Sequence, residues 1–460
     1  MFALKAPTNK LDVSPKQAPI LKSNSLMGHM KMLRENSLGL FQRGLKEVGD
    51  VARIRMMHIY LYAVYHPEHV RHVLVTNLNN YRKQTRGYAK LRLLLGDGLV
   101  TSEGEFWRRQ RRIAQPAFAR SAINGFAQTM IEATQQMLAR WDKDGLESVD
   151  LSDEMMRLTL NIAGQTLFSC DLSDQGDALG HAVEIVLTRF NDLVSSPIPH
   201  LEKFPTRKNR EFNRARKTMD ELVYKLIDER RNAKSEIHDL LSMFVNTRDE
   251  ETGEGMTNKQ LRDEALTMLL AGHETTANAL NWTFYLLSQH PEILEKVEKE
   301  LEEVLGGKAP TLAQLKQLTY TSQVFKESMR LYPPVWILAR RAEEADVIDG
   351  YHIPKGAYVI IPTQSIHRHP DIWENPDEFI PERFSPERLE EKKALGYTKF
   401  AYFPFSAGQR KCIGDHFATM EGLLILSTVL QRYRLTLKPG FTPRPAVVVQ
   451  FKCQDLHITL

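Results

Sequence analysis

Residues 405 to 414 read Phe405-Ser-Ala-Gly408-Gln-Arg410-Lys-Cys412-Ile-Gly414, and this stretch decides how the rest of the chain is interpreted. Two glycines bracket one cysteine, and an arginine precedes the cysteine by two residues. Gly408 permits a turn with positive φ, and a helix predicted to begin near Gly414 directs its N-terminal dipole at the sulfur. The helix dipole and the Arg410 charge both favour the thiolate of Cys412. The pattern by itself leaves three roles open for this cysteine: a ligand, a nucleophile or a buried structural residue.

Length and composition exclude several classes of protein. The chain has 460 residues, of which 42% are apolar and 26% charged, and its 61 basic and 57 acidic residues give a formal net charge of +4. Such a length buries a large core without disulfides, and three cysteines are too few for a disulfide framework, which indicates a reducing compartment. Apolar runs such as Met268 to Ala271 are far shorter than the roughly 20 residues that span a bilayer, so no membrane anchor is expected. The small charge excess does not indicate a nucleic-acid binder.

Helical periodicity predominates after about residue 100, whereas segments typical of strands lie toward the two ends. Thr257 and Gln260 predict a capping box that opens a helix of about 33 residues, which ends before His290-Pro291. Other helices are predicted at 120–138, 153–167, 177–193, 209–232 and 414–433. Strand-like sequence is found at 51–64, and short hairpins are predicted at 351–362 and 445–460. The predicted fold class is mainly α with a smaller β-rich region (α+β), arranged as a loose N-terminal arm at residues 1–30 and a single domain at 31–460.

Four further motifs accompany the cysteine segment: Trp107-x-x-x-Arg111, Ala271-Gly272-His273-Glu274-Thr275-Thr276, Glu327-Ser-Met-Arg330 and Pro381-Glu382-Arg383-Phe384. Together they resemble the signature motifs of the cytochrome P-450 family, the haem-thiolate monooxygenases, from roughly residue 40 to the C-terminus. The resemblance implies a soluble, bacterial-type, single haem domain with the cytochrome P-450 fold, in which the long central helix lies over the haem.

The resemblance also implies which residues hold the cofactor. It indicates haem b (iron protoporphyrin IX), with the Cys412 thiolate as axial ligand of the metal, and O2 as co-substrate. Residues implied to contact the haem are Trp107, Arg111, Ala271, Gly272, Arg340, Phe405, Gly408, Arg410 and Gly414. Arg341 is a rival to Arg340, and Lys83 is a further candidate for the propionates. Arginine suits a propionate because its planar fork pairs with a carboxylate in a bidentate manner.

Two pairs of residues receive roles from the resemblance that their spacing does not establish. Thr275 could simply bond to its own backbone and Glu274 could face solvent, but the resemblance implies that this pair relays protons during oxygen activation. Glu327 and Arg330 share a helix face and could be an ordinary surface pair. The resemblance implies that they form, with Arg383, a buried ion-pair network that holds the cysteine loop.

The substrate pocket implied by the resemblance is mostly aliphatic. Its residues are Tyr88, Met268, Val335, Ile337, Leu338 and Val447. Such a wall favours an apolar small molecule, such as a fatty acid, a terpenoid or a steroid-like compound. Arg82 and Arg86 could anchor a carboxylate on that molecule.

No flavin or nicotinamide motif follows the cysteine segment. The resemblance therefore implies electrons from a separate ferredoxin or flavodoxin with its reductase. Arg108, Arg109 and Arg112 could dock this acidic partner, although a solvated basic face would have the same sequence. The expected protein is a cytoplasmic monomer that binds a lipophilic substrate and no nucleic acid. A peroxide-driven or isomerising haem-thiolate enzyme and a non-catalytic haem sensor are the alternatives.

Overall fold

Helices account for most of the chain. The computed structural model describes residues 15–170, 176–196, 200–232, 238–394, 400–440, 443–447 and 450–459. The α-helices are α1 Met30–Glu35, α2 Ser37–Val48, α3 Pro67–Arg71, α4 Arg86–Leu95, α5 Gly104–Ala114, α6 Arg120–Asn124, α7 Ala127–Lys143, α8 Leu151–Phe168, α9 Gly176–Ser195, α10 Arg207–Asn232, α11 Leu240–Asn246, α12 Asn258–Gln289, α13 Pro291–Leu305, α14 Leu312–Leu315, α15 Thr319–Leu331, α16 Thr363–Ile366, α17 Pro386–Ala394 and α18 Asp415–Leu430.

The strands form small sheets at the edge of the helical body. They are β1 Lys16–Gln17, β2 Val51–Met56, β3 Ile59–Val64, β4 Tyr81–Arg82, β5 Ser148–Asp150, β6 Leu338–Ala342, β7 Asp346–Ile348, β8 Tyr351–Ile353, β9 Tyr358–Ile361, β10 Thr436–Leu437, β11 Arg444–Val447, β12 Phe451–Gln454 and β13 His457–Thr459. The largest sheet has the order β2-β3-β9-β6-β4. Three-stranded sheets have the orders β1-β8-β7 and β10-β13-β5, and β11 pairs with β12 as a hairpin. A mainly α fold with a smaller β region is therefore confirmed.

The long helix α12 forms as its sequence predicts. Thr257 Oγ1 accepts the Gln260 N–H at 3.3 Å, and Gln260 Oε1 accepts the Thr257 N–H at 2.7 Å, which completes the capping box. The helix has 32 residues, or about 48 Å at 1.5 Å per residue, and ends at Gln289. It packs against α8, α10, α15 and α18, so most of its circumference is buried.

Three predicted elements differ from the observed ones. The segment predicted as a hairpin at 351–362 contains β8 and β9, but these strands belong to different sheets and do not pair with each other. The predicted helix at 120–138 is divided at Gly125 into α6 and α7, because glycine weakens a helix interior. The hairpin predicted at 445–460 is present as β11 and β12, whereas the last strand, β13, leaves it and crosses to pair with β5 and β10. The distant partner strands that cause this crossover were not evident in the local pattern.

Part of the predicted N-terminal arm packs on the sheets. Strand β1 pairs in parallel with β8, and Ile20 and Gly28 form isolated bridges to β2. Ala18 and Leu21 are buried, because their side chains join the main hydrophobic core. Residues 15–30 therefore differ from the loose arm predicted for them, and residues 1–14 lie outside the described residues.

Candidate active site

The cysteine loop has the backbone geometry that its glycine predicts. Gly408 has φ +71°, and a Cβ at this position would lie 2.4 Å from the carbonyl oxygen of Leu74. The Cys412 N–H donates to the Phe405 carbonyl at 2.9 Å, which closes the loop just before α18. Only glycine fits position 408, since both the left-handed conformation and the close Leu74 carbonyl exclude a side chain.

Opposing effects act on the Cys412 thiol. Burial raises its pKa, whereas a hydrogen bond from the Gly414 backbone and the nearby charge of Arg111 lower it. The residue as a whole nevertheless has an exposed surface, so the thiol lies at the wall of a deep cleft. Because burial is the largest effect, the protein alone favours the thiol, and a bound metal cation would be needed to favour the thiolate.

Three cations converge beside the cysteine loop and form what we call the cationic cluster: Lys83, Arg340 and Arg410. Burial lowers the pKa of Lys83 well below its ordinary value, and the charges of the two arginines lower it further. Burial likewise lowers the pKa of Arg410 to about 10, with the charge of Arg340 adding to the effect. Among the described residues, Glu103 is the carboxylate that faces the cluster, 4.0 Å from Arg410.

Helix α5 supplies the walls of this cluster. The Arg410 guanidinium lies 4.1 Å from the centroid of the Trp107 ring, which is a cation–π distance. Arg111, one turn after Trp107, donates to the Lys411 carbonyl at 3.1 Å and so ties α5 to the cysteine loop. Arg340 is 2% exposed on β6, whereas the side chain of Arg341 is exposed, because successive strand residues point to opposite faces.

The arrangement fits a haem. A cluster of buried like charges is costly unless an anion compensates it, and one shared carboxylate does not balance three cations. A planar group with two propionates would supply those charges, and a thiol at the wall of the cleft would supply its metal ligand. Lys83, Trp107, Arg111, Arg340, Arg410 and Cys412 are the residues that would hold the group.

The middle of α12 opens onto a cleft. Ala271 is exposed and Gly272 is half-buried, although nearly all residues around them are buried, and a Cβ at Gly272 would contact nothing within 4 Å. Thr275 Oγ1 donates to the Ala271 carbonyl at 2.6 Å. Thr275 thus bonds to its own helix, and its hydroxyl lies beside the exposed Ala271.

Glu274 lies on another side of α12 from Thr275. It is 2% exposed and forms an ion pair with Lys452 of β12. This pairing overturns the solvent-facing alternative for Glu274. Lys452 carried no signal in the sequence, because a lysine in a terminal hairpin is usually solvated.

A second buried acid lies behind the same helix. Glu421 of α18 faces Thr276, and burial raises its pKa to about 8. His273 is also buried, and burial together with the Lys452 charge lowers its pKa to about 4. Sequence reasoning missed Glu421, although an acid in the otherwise apolar middle of the helix 415–430 was an available signal.

The predicted ion-pair network is present. Arg330 donates to Glu327 through Nε and a terminal nitrogen, both at 2.8 Å, and Arg383 Nε lies 3.3 Å from Glu327 Oε1. Arg330 and Glu327 have no exposed surface. Arg330 also donates to backbone carbonyls of the segment that carries His367 and Pro376.

His367 links this network to the cysteine loop. Its carbonyl accepts from Arg330 at 2.8 Å, and its ring Nε2 accepts the Phe403 N–H at 3.0 Å. Burial, with the charges of Arg330 and Arg368, lowers the pKa of His367 to about 3, so its ring is the neutral acceptor that the Phe403 N–H requires. This residue was not singled out from the sequence.

The predicted pocket residues come from separate elements. Tyr88 is half-buried on α4, and its ring centroid lies 5.2 Å from Lys83 Nζ. Met268 is seven residues before Thr275 and so shares its helix face. Val335 and Ile337 are half-buried and Leu338 begins β6. Val447 ends β11, and its side chain lies outside the described part of the structure.

The arginines considered as substrate anchors have other partners. Arg82 pairs with Glu103 at 3.7 Å, and Arg86 donates to the carbonyl of Ser196. These contacts favour structural roles for both side chains over the recognition of a substrate carboxylate.

Acidic residues cover the basic face of α5. Arg109 lies 3.1 Å from Glu254, and Arg112 lies 2.9 Å from Asp249 and 2.8 Å from Glu251. Arg108 pairs with the exposed Glu105. The predicted docking arginines are therefore mostly engaged within the chain, by a loop more than 130 residues away.

The comparisons with known proteins agree with this geometry. Within the described residues, none of the helices has the length and apolar character needed to cross a bilayer. The family model for cytochrome P450 matches residues 19–449. The heme domain of cytochrome P450DA superposes with a TM-score of 0.88 at 29% sequence identity, and 97% of each chain is covered.

Curated relatives carry the names of monooxygenases. Cyclooctat-9-en-7-ol 5-monooxygenase of Streptomyces melanosporofaciens is 36% identical, and the match covers 91% of this chain and 89% of the relative. Pentalenene oxygenase of Streptomyces avermitilis is 32% identical, with 92% of each chain covered. The chain therefore belongs to the cytochrome P450 family and is a P450-type monooxygenase.

Proposed function

We propose that this enzyme inserts one oxygen atom of O2 into a C–H bond of an apolar terpenoid, with haem b bound through the Cys412 thiolate. The observation that carries the haem site is the cationic cluster, whose buried charges need an anion beside the cysteine loop. When bound, the haem supplies the oxidising chemistry, and in this family the thiolate promotes O–O cleavage. The protein contributes orientation, protons and the exclusion of water.

The haem-binding roles follow from position and charge. Cys412 is held by the turn at Gly408 and by its own backbone bond to Phe405, while Gly414 donates to its sulfur. Arg340, Arg410 and Lys83 bind the propionates, and the Trp107 ring restrains the Arg410 guanidinium. Phe405, Ala271 and Gly272 are the proposed contacts of the macrocycle itself.

Proton delivery is assigned to Thr275 and Glu274. The Thr275 hydroxyl is bonded to the Ala271 carbonyl, beside the open surface of Gly272. It can therefore pass a proton toward the cleft and receive another from the side of α12 that faces away from the cleft. Glu274 supplies a titratable group one residue away in an otherwise dry stretch. Its side chain has to leave Lys452, or connect through water, to reach Thr275.

The substrate proposal rests on the aliphatic wall and on the relatives. The predicted pocket residues Tyr88, Met268, Val335, Ile337 and Leu338 are mostly apolar, and relatives are named for cyclooctat-9-en-7-ol and pentalenene. We favour a terpenoid over a fatty acid because Arg82 and Arg86 are engaged elsewhere. The product then differs from the substrate by one hydroxyl group.

The electron source is proposed to be a separate ferredoxin or flavodoxin with its reductase, in the cytoplasm and acting on a monomer. Docking is assigned to the Arg108 side of α5, since Arg109 and Arg112 are neutralised by the acidic loop. An acidic partner is steered to a basic surface at low ionic strength, and salt weakens this attraction.

The test is a turnover assay of the haem-replete protein with pentalenene and cyclooctat-9-en-7-ol. One arm contains ferredoxin, its reductase, reductant and isotopically labelled O2, and the other contains peroxide alone. We expect labelled hydroxylated product in the first arm and a reduced carbon monoxide spectrum with the red-shifted thiolate band. Product from peroxide alone would favour the peroxide-driven alternative, and ligand binding without any turnover would favour the sensor.

A further inference from the structure

The C-terminal hairpin is fastened to α12 along one stripe of the helix. Glu274, Asn278 and Trp282 follow at four-residue intervals and therefore share one helix face. They meet three consecutive residues of the hairpin segment. Asn278 Nδ2 donates to Gln450 Oε1 at 3.2 Å, and Trp282 Nε1 donates to the Phe451 carbonyl at 3.1 Å. Lys452 completes the stripe by its ion pair with Glu274.

The same hairpin is fastened to the segment that leads into the predicted pocket. The Phe451 N–H donates to the Pro334 carbonyl at 2.9 Å. The Trp282 ring stacks on Tyr332 with centroids 4.0 Å apart, and the Phe451 ring lies 5.3 and 5.4 Å from these two rings. The hairpin, α12 and the pocket segment after Pro334 are thus packed as one unit.

The contacts within this unit differ in kind. The two hydrogen bonds at Asn278 and Trp282 are buried. Lys452 has a side chain that is 23% exposed, whereas Glu274 is almost completely buried. Lys452 is therefore the member of the stripe that connects the buried acid to solvent. In the hairpin register it lies opposite Ala446, next to the predicted pocket residue Val447.

We propose that Lys452 is a positioning residue for proton delivery, because its ion pair fixes where the buried carboxylate of Glu274 lies relative to Thr275. The hydrogen bonds of Gln450 and Phe451 to the same face of α12 hold Lys452 in place. This inference rests on the proposed function of Glu274 and Thr275.

Other titratable groups also face this stripe. His273 neighbours Glu274 on α12, and Lys452 contributes to lowering its pKa. Glu421 faces Thr276 from α18. A variant at Lys452 therefore changes the charge felt by His273 as well as by Glu274, and conservative replacements are needed to isolate the ion pair.

The test compares Lys452→Met and Lys452→Arg with Lys438→Met, which removes an exposed lysine from the C-terminal region. The measurement is the fraction of consumed reducing equivalents that appears as product, across a range of pH. We expect about a fivefold fall and an altered pH profile in Lys452→Met, substantial recovery in Lys452→Arg, and no change in Lys438→Met. Glu274→Gln combined with Lys452→Met should be no worse than Glu274→Gln alone.

A second measurement does not depend on turnover. Hydrogen exchange of the backbone amides in Phe451–Gln454 should quicken in both Lys452→Met and Glu274→Gln, and stay unchanged in Lys438→Met. Additive losses in the double variant, or normal product yield in Lys452→Met, would overturn the proposal. If the unaltered enzyme makes no product, the proposed function itself has failed. The exchange data then test only whether the ion pair between Lys452 and Glu274 holds the hairpin.

Discussion

On the cysteine side of the site, Arg330 and Arg383 both pair with Glu327, and Arg330 also donates to a nearby backbone carbonyl. The His367 ring accepts the Phe403 N–H and thereby links this network to the cysteine loop. On the α12 side, within the part of the chain that the structure describes, Thr275 bonds only to its own helix, and the buried acid Glu274 has Lys452 as its one side-chain partner. A second buried acid, Glu421, faces Thr276. A fully paired network holds geometry, whereas sparsely paired titratable groups can exchange protons and partners. The comparison indicates that one side of the site is built to stay fixed and the other to respond.

The strongest test of the fixed side is the removal of the proposed ligand. Cys412→Ala should abolish the red-shifted carbon monoxide band of the reduced protein, because no thiolate remains at the loop. Cys170→Ala, at a half-buried cysteine outside the site, should retain the band. Retention of the band in Cys412→Ala would refute the assignment, and the absorption spectrum decides between the outcomes.

Removing the carboxylate of the ion-pair network should lower the free energy of unfolding. Glu327→Gln leaves Arg330 and Arg383 as buried charges without their carboxylate, so the free energy of unfolding should fall by about 3–5 kcal/mol. Glu303→Gln breaks the exposed pair with Lys299 and should cause no measurable loss in denaturant titrations. Equal stabilities of the two variants would show that the network does not hold the loop.

Each side carries one buried neutral histidine, which allows a matched pH experiment. The pKa values are about 3 for His367 and about 4 for His273, below the ordinary value of 6.5, so the unfolded chain binds more protons at acid pH. Stability is thus complete above about pH 6.5 and falls as pH decreases, by about 2 kcal/mol per histidine at about pH 5. Denaturant titrations against pH measure this slope.

Replacing either histidine separates the two contributions. His367→Gln and His273→Gln should each reduce the slope of unfolding free energy against pH by about one proton over the acid range. His367→Gln should also disturb the cysteine loop and its spectrum, whereas His273→Gln should not. An unchanged slope in both variants would contradict the assignment of two neutral buried rings.

On the α12 side, a substitution in the proton route should change how much of the consumed reducing equivalents is recovered as product. Thr275→Ala should lower the fraction of reducing equivalents recovered as product about tenfold while haem stays bound, and Thr275→Ser should recover most of it. Thr283→Ala removes a similar hydroxyl, bonded to Ala279 two turns later, and should have no effect on this fraction. Normal product yield in Thr275→Ala would remove the residue from the proton route.

The smallest effect is expected at the surface of α5. Arg108→Glu should slow reduction by the electron partner about twofold at low salt and have no effect at high salt. Arg112→Glu should instead lower stability, because it removes one ion-pair partner of Asp249 and places a further acid beside it. Stopped-flow reduction rates that are identical for Arg108→Glu and the unaltered enzyme at every salt concentration would exclude docking at this face.

Local sequence was sufficient for several features of this protein. The capping box at Thr257, the long helix, the turn at Gly408 and the pairing of Glu327 with Arg330 depend on residues a few positions apart, so their spacing predicts them. The family motifs likewise identified the reaction class, since each is a short run of residues with a defined order.

Tertiary structure alone decided which distant residues complete the site. Lys452 reaches Glu274, His367 reaches Phe403 and Asp249 reaches Arg112 across separations of 36 to 178 residues. No spacing rule predicts such contacts, because chain separation carries no information about which surfaces pack together. The loop that neutralises Arg109 and Arg112 illustrates the result: a basic cluster that its sequence predicts to be free for a partner is paired within the chain once the fold brings an acidic loop against it.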